Sequence, residues 1–132
     1  MKYEFLEHTA DIKFRAYGKD LNEVFENAVL AVSEYLCGDE KLKVRKGKVI
    51  EVDGKDKESL LYNFLDEILY LLDAENFVVK TAKVQMRGNN LRAELFGDDA
   101  INYKLDHIKA ATYSEMHIKK TDDGWEAQVV VD

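Results

Sequence analysis

A chain of 132 residues, 46% hydrophobic and 34% charged, is long enough to bury one core and too apolar to remain disordered. Its formal net charge of −7, from 26 acidic against 19 basic residues, works against direct capture of a nucleic-acid backbone, which needs clustered Lys and Arg to displace counterions. A single cysteine fits a reducing cytoplasm, no N-terminal apolar run reads as a signal, and the most apolar stretch, Leu60 to Leu72, is broken by Asn63, Asp66 and Glu67, so no membrane span is expected.

Tyr3, Phe5 and Leu6 open the chain as an apolar segment. Glu7-His8-Thr9-Ala10-Asp11-Ile12 leads from it into Ile12-Lys13-Phe14-Arg15-Ala16-Tyr17, whose alternation predicts a half-buried strand with Ile12, Phe14 and Ala16 inward. His, Thr and Asp at the mouth of a strand can form a site or a turn, and local chemistry alone favours the turn. Gly18-Lys19-Asp20 then precedes an amphipathic helix on Leu21, Val24, Phe25, Ala28, Val29, Val32 and Leu36. Asp20 is its N-cap with Glu23 in capping-box position, Cys37 ends it, and Gly38 is the left-handed cap. Lys43 to Val52 gives the next strand, which closes in Gly54-Lys55-Asp56. Its basic residues, with Lys41, read as a wet face. Leu60, Leu61, Phe64, Leu65, Ile68, Leu69 and Leu72 define the buried side of a second helix.

At an offset of about 36 residues the first half repeats itself. Gly18-Lys19-Asp20 falls on Gly54-Lys55-Asp56, Asn27 on Asn63, and Val29, Val32 and Leu36 on Leu65, Ile68 and Leu72. His8-Thr9-Ala10-Asp11 has no counterpart in the second copy. Beyond the repeat, Val78 to Met86 and Leu91 to Leu95 flank Arg87-Gly88-Asn89-Asn90, a hairpin signal, and Gly97-Asp98-Asp99 is expected to break the chain. Ile108 to Ile118 alternates with Ala110, Met116 and Ile118 on one face, and Thr121-Asp122-Asp123-Gly124 makes a tight turn. The closing strand places Trp125, Ala127, Val129 and Val131 inward and Asp132 outward. The order predicts one α+β domain over 1–132: two strand–turn–helix units followed by antiparallel strands, with two helices packed on a mainly antiparallel sheet.

Cys37 sits at a helix C-terminus, where partial negative charge raises a thiol's pKa, and is expected to be structural. Neither Gly-Lys-Asp copy carries the loop of a phosphate-binding motif. One thiol and three scattered histidines make no zinc set, and no nucleophile–base order or paired carboxylates support an enzyme. His117 alternates outward and reads as solvated, and His107 follows Asp106 in a loop. His8, three residues before Asp11, is placed to orient it or to tuck against Tyr3 or Phe5. If the first and last alternating strands are antiparallel neighbours, Asp11 and Asp132 converge, joined by the terminal carboxylate. Oxygen-only ligands of this kind suit Ca²⁺ or Mg²⁺ rather than zinc.

Glu7-His8-Thr9-Ala10-Asp11-Ile12, Ala16-Tyr17-Gly18, Phe25-Glu26-Asn27-Ala28, Phe64-Leu65-Asp66-Glu67-Ile68-Leu69-Tyr70, Ile108-Lys109-Ala110-Ala111-Thr112-Tyr113 and Trp125-Glu126-Ala127 to Val131-Asp132 span essentially the whole chain. In this order they resemble the archease family. The resemblance implies a cytoplasmic accessory protein, not an enzyme, that activates the tRNA-splicing RNA ligase joining a 3′-phosphate or cyclic-phosphate end to a 5′-hydroxyl. It would act by promoting the ligase's guanylylation and multiple turnover and by broadening its nucleotide specificity. A chaperone-like action on RNA-processing enzymes such as a tRNA methyltransferase is the alternative. The resemblance further implies a divalent-cation site on Asp11 and Asp132, with Ca²⁺ first and Mg²⁺ or Mn²⁺ as alternatives. Lys104 maps to a basic position that acts on the partner, and His8 is the candidate support of Asp11. Neither a nucleic acid nor a membrane is an expected partner. Relatives usually carry an aliphatic residue after the last Asp, and many place His where Ser114 stands, so Ser114 receives no role.

Overall fold

Asp20 and Asp56 start two helices in the same way. Each lies in extended backbone, at φ −142° and −150°, and its carboxylate accepts the N–H of the residue three ahead, Glu23 and Ser59. The computed structural model describes residues 1–8 and 12–132. It runs β1 (Tyr3–Leu6), β2 (Ile12–Gly18), α1 (Leu21–Cys37), β3 (Lys46–Asp53), α2 (Lys57–Glu75), β4 (Phe77–Arg87), β5 (Asn90–Asp99), a 3₁₀ turn (Ala100–Asn102), β6 (Ala111–Thr121) and β7 (Gly124–Val131).

The sequence repeat is a structural one. Asn27 Nδ2 donates to the Tyr17 carbonyl at 2.6 Å and Asn63 Nδ2 to the Asp53 carbonyl at 2.9 Å, so each helix is tied to the end of its own strand by the same residue. The turns match as well: a Cβ on Gly18 would lie 2.6 Å from the Val24 nitrogen, and one on Gly54 would lie 2.5 Å from that of Leu60. Only glycine lets the strand end approach the helix backbone so closely.

The strands form two antiparallel sheets, β1-β2-β7-β6 and β3-β5-β4. Helix α1 packs on β4 and β2, and α2 on β6, β4 and β3, so the helices join the two sheets. Phe25 and Phe64, both fully buried, stack with centroids 6.0 Å apart at the helix–helix contact. Glu26 and Asn22 of α1 accept the N–H groups of Val84 and Met86 at 2.8 and 2.9 Å, which caps the otherwise open edge of β4. No helix among the described residues is long and apolar enough to cross a membrane.

The strands depart from the sequence reading in several respects. The antiparallel strands divide into two sheets instead of one. The third strand starts at Lys46, not Lys43, because Leu42 is buried beside Cys37 and Val78 and the Lys43 N–H is taken by the Tyr103 hydroxyl at 3.0 Å. Gly97-Asp98-Asp99 does not break the chain but completes β5. There a Cβ on Gly97 would come within 1.9 Å of the Val78 carbonyl oxygen, so this glycine admits the backbone of β4 next to its register shift between Val79 and Thr81. In β6, Ala111 pairs with Val131 but His117 with Gln128, so five steps from Thr112 to His117 oppose two from Val130. The odd surplus flips the face, which is why Ala111, not Ala110, is the buried residue before the bulge, with Ile118 inward after it. Finally, β7 is buried on both faces: Glu126, Gln128 and Val130 are 8%, 6% and 0% exposed, opposite the buried Ala127, Val129 and Val131.

Candidate functional site

His8, after β1, and Asp132, after β7, lie at the same end of the four-stranded sheet. There β2 begins and β7 ends, and Ile12 pairs with Val131 in antiparallel register. The Asp132 N–H donates to the Ala110 carbonyl at 2.9 Å, and the Asp132 main-chain oxygen accepts the Lys109 N–H at 2.6 Å. The approach to β6 is thereby sewn to the same strand end, and the Asp132 side chain is exposed. Asp11, with Thr9 and Ala10, lies outside the described residues.

His8 meets Glu115, a partner that the sequence did not suggest. Its Nε2 lies 2.8 Å from Glu115 Oε2, and Lys13 Nζ reaches Glu115 Oε1 at 3.1 Å. One carboxylate thus joins residues on either side of the Thr9-Ala10-Asp11 stretch. The hydrogen bond from His8, then that from Lys13, holds the Glu115 carboxyl below its ordinary value. His8 Nδ1 is buried and has no partner among the described residues. Glu115 reaches this position because it sits in the bulge at φ +54°, uncommon for a residue with a side chain. Gln128 holds the bulge there: its Nε2 donates to the Glu115 carbonyl at 2.8 Å, while its Oε1 accepts from Arg15 Nε at 2.9 Å.

The end of α1 closes this region. The Asp106 N–H donates to the Leu36 carbonyl at 2.7 Å, and the Lys104 N–H to Glu40 Oε1 at 2.9 Å, so the segment carrying Lys104 rests on the helix terminus. That terminus carries Glu34 and is followed by Asp39 and Glu40, with no basic residue in the last turn to offset the helix dipole. Cys37 is buried here, and burial pushes its thiol up, in keeping with a structural role. His107 is exposed, beside Asp106.

Among the described residues, no three His, Cys, Asp or Glu side chains converge as a metal-binding group. A carboxylate such as that of Asp132 is the type of oxygen donor that a hard cation takes. Asp132 presents an exposed carboxylate with no side-chain partner among the described residues, whereas the His8 Nε2 and the Glu115 carboxylate are bound to each other.

Glu115 and Glu126 were not singled out by sequence. Thr112 and Ser114, polar at positions of the expected inward face, were the available sign of a bulge. His117, expected to be solvated, instead places Nε2 2.8 Å from Glu126 Oε2. Burial works to raise the Glu126 carboxyl, but the His117 hydrogen bond and the Lys119 and Arg15 charges outweigh it and leave it lowered.

Residues 3–132 match the archease protein family. The archease of Methanosarcina barkeri is 41% identical over 143 residues, covering 99% of this chain and 95% of that protein. The archease of Pyrococcus abyssi is 38% identical over 139 residues, covering 99% and 98%. Among solved structures, the solution structure of Methanobacterium thermoautotrophicum protein 1598 superposes with a TM-score of 0.81 at 32% identity, covering 99% of this chain and 98% of that one. The crystal structure of a Thermotoga maritima archease shares the fold, with a TM-score of 0.68 at 19% identity.

Proposed function

Because the chain belongs to the archease family, we propose that it is a cytoplasmic, non-catalytic accessory protein that activates the tRNA-splicing RNA ligase. In this reading it promotes the ligase's guanylylation, lets it turn over many times and broadens the nucleotides it accepts. The observation that carries the reading is the pairing of Ile12 with Val131, whose sequence neighbours are Asp11 and Asp132. We assign those two carboxylates to a divalent cation, Ca²⁺ first and Mg²⁺ or Mn²⁺ next. Bound there, the ion supplies positive charge beside the ligase's own metal and nucleotide phosphates. Asp11 and Asp132 hold that charge at the protein's edge, His8 supports the strand mouth through Glu115, and Lys104 faces the ligase. The test is ligation of a 3′-phosphate RNA to a 5′-hydroxyl RNA with the ligase limiting. The wild-type protein should raise product well beyond one equivalent of ligase, and Asp11→Ala and Asp132→Ala should not. Equal stimulation by both variants would overturn the assignment.

A second reading is a chaperone for RNA-processing enzymes such as a tRNA methyltransferase. The Thermotoga maritima archease is described as a possible chaperone, and an uncovered aromatic ring at Phe5 favours contact with other chains. On this reading Asp11→Ala and Asp132→Ala still suppress aggregation of such an enzyme at wild-type levels.

A further inference from the structure

Phe5 and Phe14 are cross-strand partners, so they share one face of the sheet. Phe14 is 1% exposed and Phe5 40%. The face is the one α1 covers, and α1 stops at Cys37 without covering Phe5. Between β1 and the last turns of α1 this leaves an open groove of about 530 Å³, with Phe5, Leu6, Ile12 and Tyr35 for its apolar walls and Glu7 and Glu34 among its polar lining. No Lys or Arg is among the described residues that line it. Asp39 and Glu40 continue the negative charge beyond the helix end, which itself carries the negative pole of the dipole.

An apolar groove alone does not identify its occupant; here the charge does. Anionic ligands, nucleic acid and acidic membranes are repelled by the carboxylates and the helix terminus together. An apolar side chain flanked by Lys or Arg satisfies both the walls and the rim. We propose that the β1–α1 groove docks a basic–apolar segment of a partner protein, its apolar side chain entering beside Phe5 and its basic residues meeting Glu7 and Glu34. Because Ile12 lines the groove and pairs with Val131, a segment seated there lies next to Asp132. That the partner is the ligase rests on the function proposed above; the chemistry of the groove does not.

The probe is the peptide acetyl-Lys-Leu-Lys-Phe-Lys-amide, titrated into the ¹⁵N-labelled full chain beside its counterpart with Glu in place of Lys. The basic peptide should shift the amides of Leu6, Tyr35 and Gly38 in a saturable way, and the acidic one should not. Phe5→Ser and Glu34→Lys should each weaken the basic peptide about tenfold, whereas Val49→Ser, exposed on β3 of the other sheet, should leave it unchanged. The Glu34 carboxylate also meets the Tyr3 hydroxyl, so Glu34→Gln, which removes the charge and keeps an acceptor, is measured beside Glu34→Lys and should likewise weaken the basic peptide even if Phe5→Ser destabilises the fold. Equal response to both peptides, or shifts centred elsewhere, would overturn the groove. The same variants measured against full-length ligase test the partner. Peptide binding without ligase binding by the wild type would contradict the accessory role and leave the groove intact, whereas wild-type ligase affinity in the Phe5 and Glu34 variants would overturn the groove as the docking point.

Discussion

The Nε2 of His8 and the Oε2 of Glu115, 107 residues apart in sequence, lie 2.8 Å from each other and fasten the segment before β2 to the bulge of β6. Lys13 takes the other oxygen of the same carboxylate. The hydrogen bond from His8 is the largest influence lowering the Glu115 pKa. A carboxyl lowered in the folded state stabilises the fold above its ordinary value, and that contribution disappears as the pH falls through the lowered one. In a carboxyl ¹³C titration Glu115 should therefore have its midpoint below that of an unperturbed glutamate. His8→Phe should move the midpoint up, and Lys13→Met should do so by less. A midpoint indifferent to both substitutions would remove the clamp from the account.

Asn27 and Asn63 make the same hydrogen bond in two environments. Asn27 is 6% exposed and Asn63 is exposed. Losing the buried bond strands the Tyr17 carbonyl, so Asn27→Ala should cost about 1–3 kcal/mol in urea unfolding. Asn63→Ala leaves a carbonyl that water can reach and should cost about 0.5–1 kcal/mol. Equal costs would show that the repeat is geometric without being energetic.

Gly97→Ala should destabilise more than either asparagine change relative to its size. One added methyl meets the Val78 carbonyl at 1.9 Å, inside any tolerable contact, and the neighbour is backbone. An overpacking cost of about 1–3 kcal/mol is expected, read as a lowered thermal midpoint, with new chemical shifts confined to β4 and β5. An unchanged midpoint would mean that β4 yields freely at its bulge.

The parts of the fold legible in sequence are those fixed by short-range chemistry. Helical spacing, the caps at Asp20 and Asp56, and the paired asparagines lie within about ten residues of what they act on. The alternation of Ile12 to Ala16 and of Trp125 to Val131 marked β2 and β7 as strands, while their pairing entered only as a condition. What stayed hidden depends on distant partners. Glu115 becomes a site residue only because Gln128, itself held by Arg15, fixes a bulge that no local pattern demands. Gly97 reads as a breaker until Val78 is seen pressed against it. His117 reads as solvated until Glu126 is found beneath it. At the candidate site, the antiparallel adjacency of β2 and β7, on which the meeting of Asp11 and Asp132 was conditional, is present, while the contact of His8 with Glu115 was not foreseen.

The central claim, that the carboxylates of Asp11 and Asp132 serve a partner's guanylylation, is tested most directly by the rate at which the purified ligase becomes covalently labelled by radioactive GTP. With wild-type protein at saturating concentration the rate should rise above that of ligase alone, and with Asp11→Ala or Asp132→Ala it should stay at the ligase-alone value while both variants keep the wild-type fold. Labelling that rises equally with the wild type and both variants would contradict it.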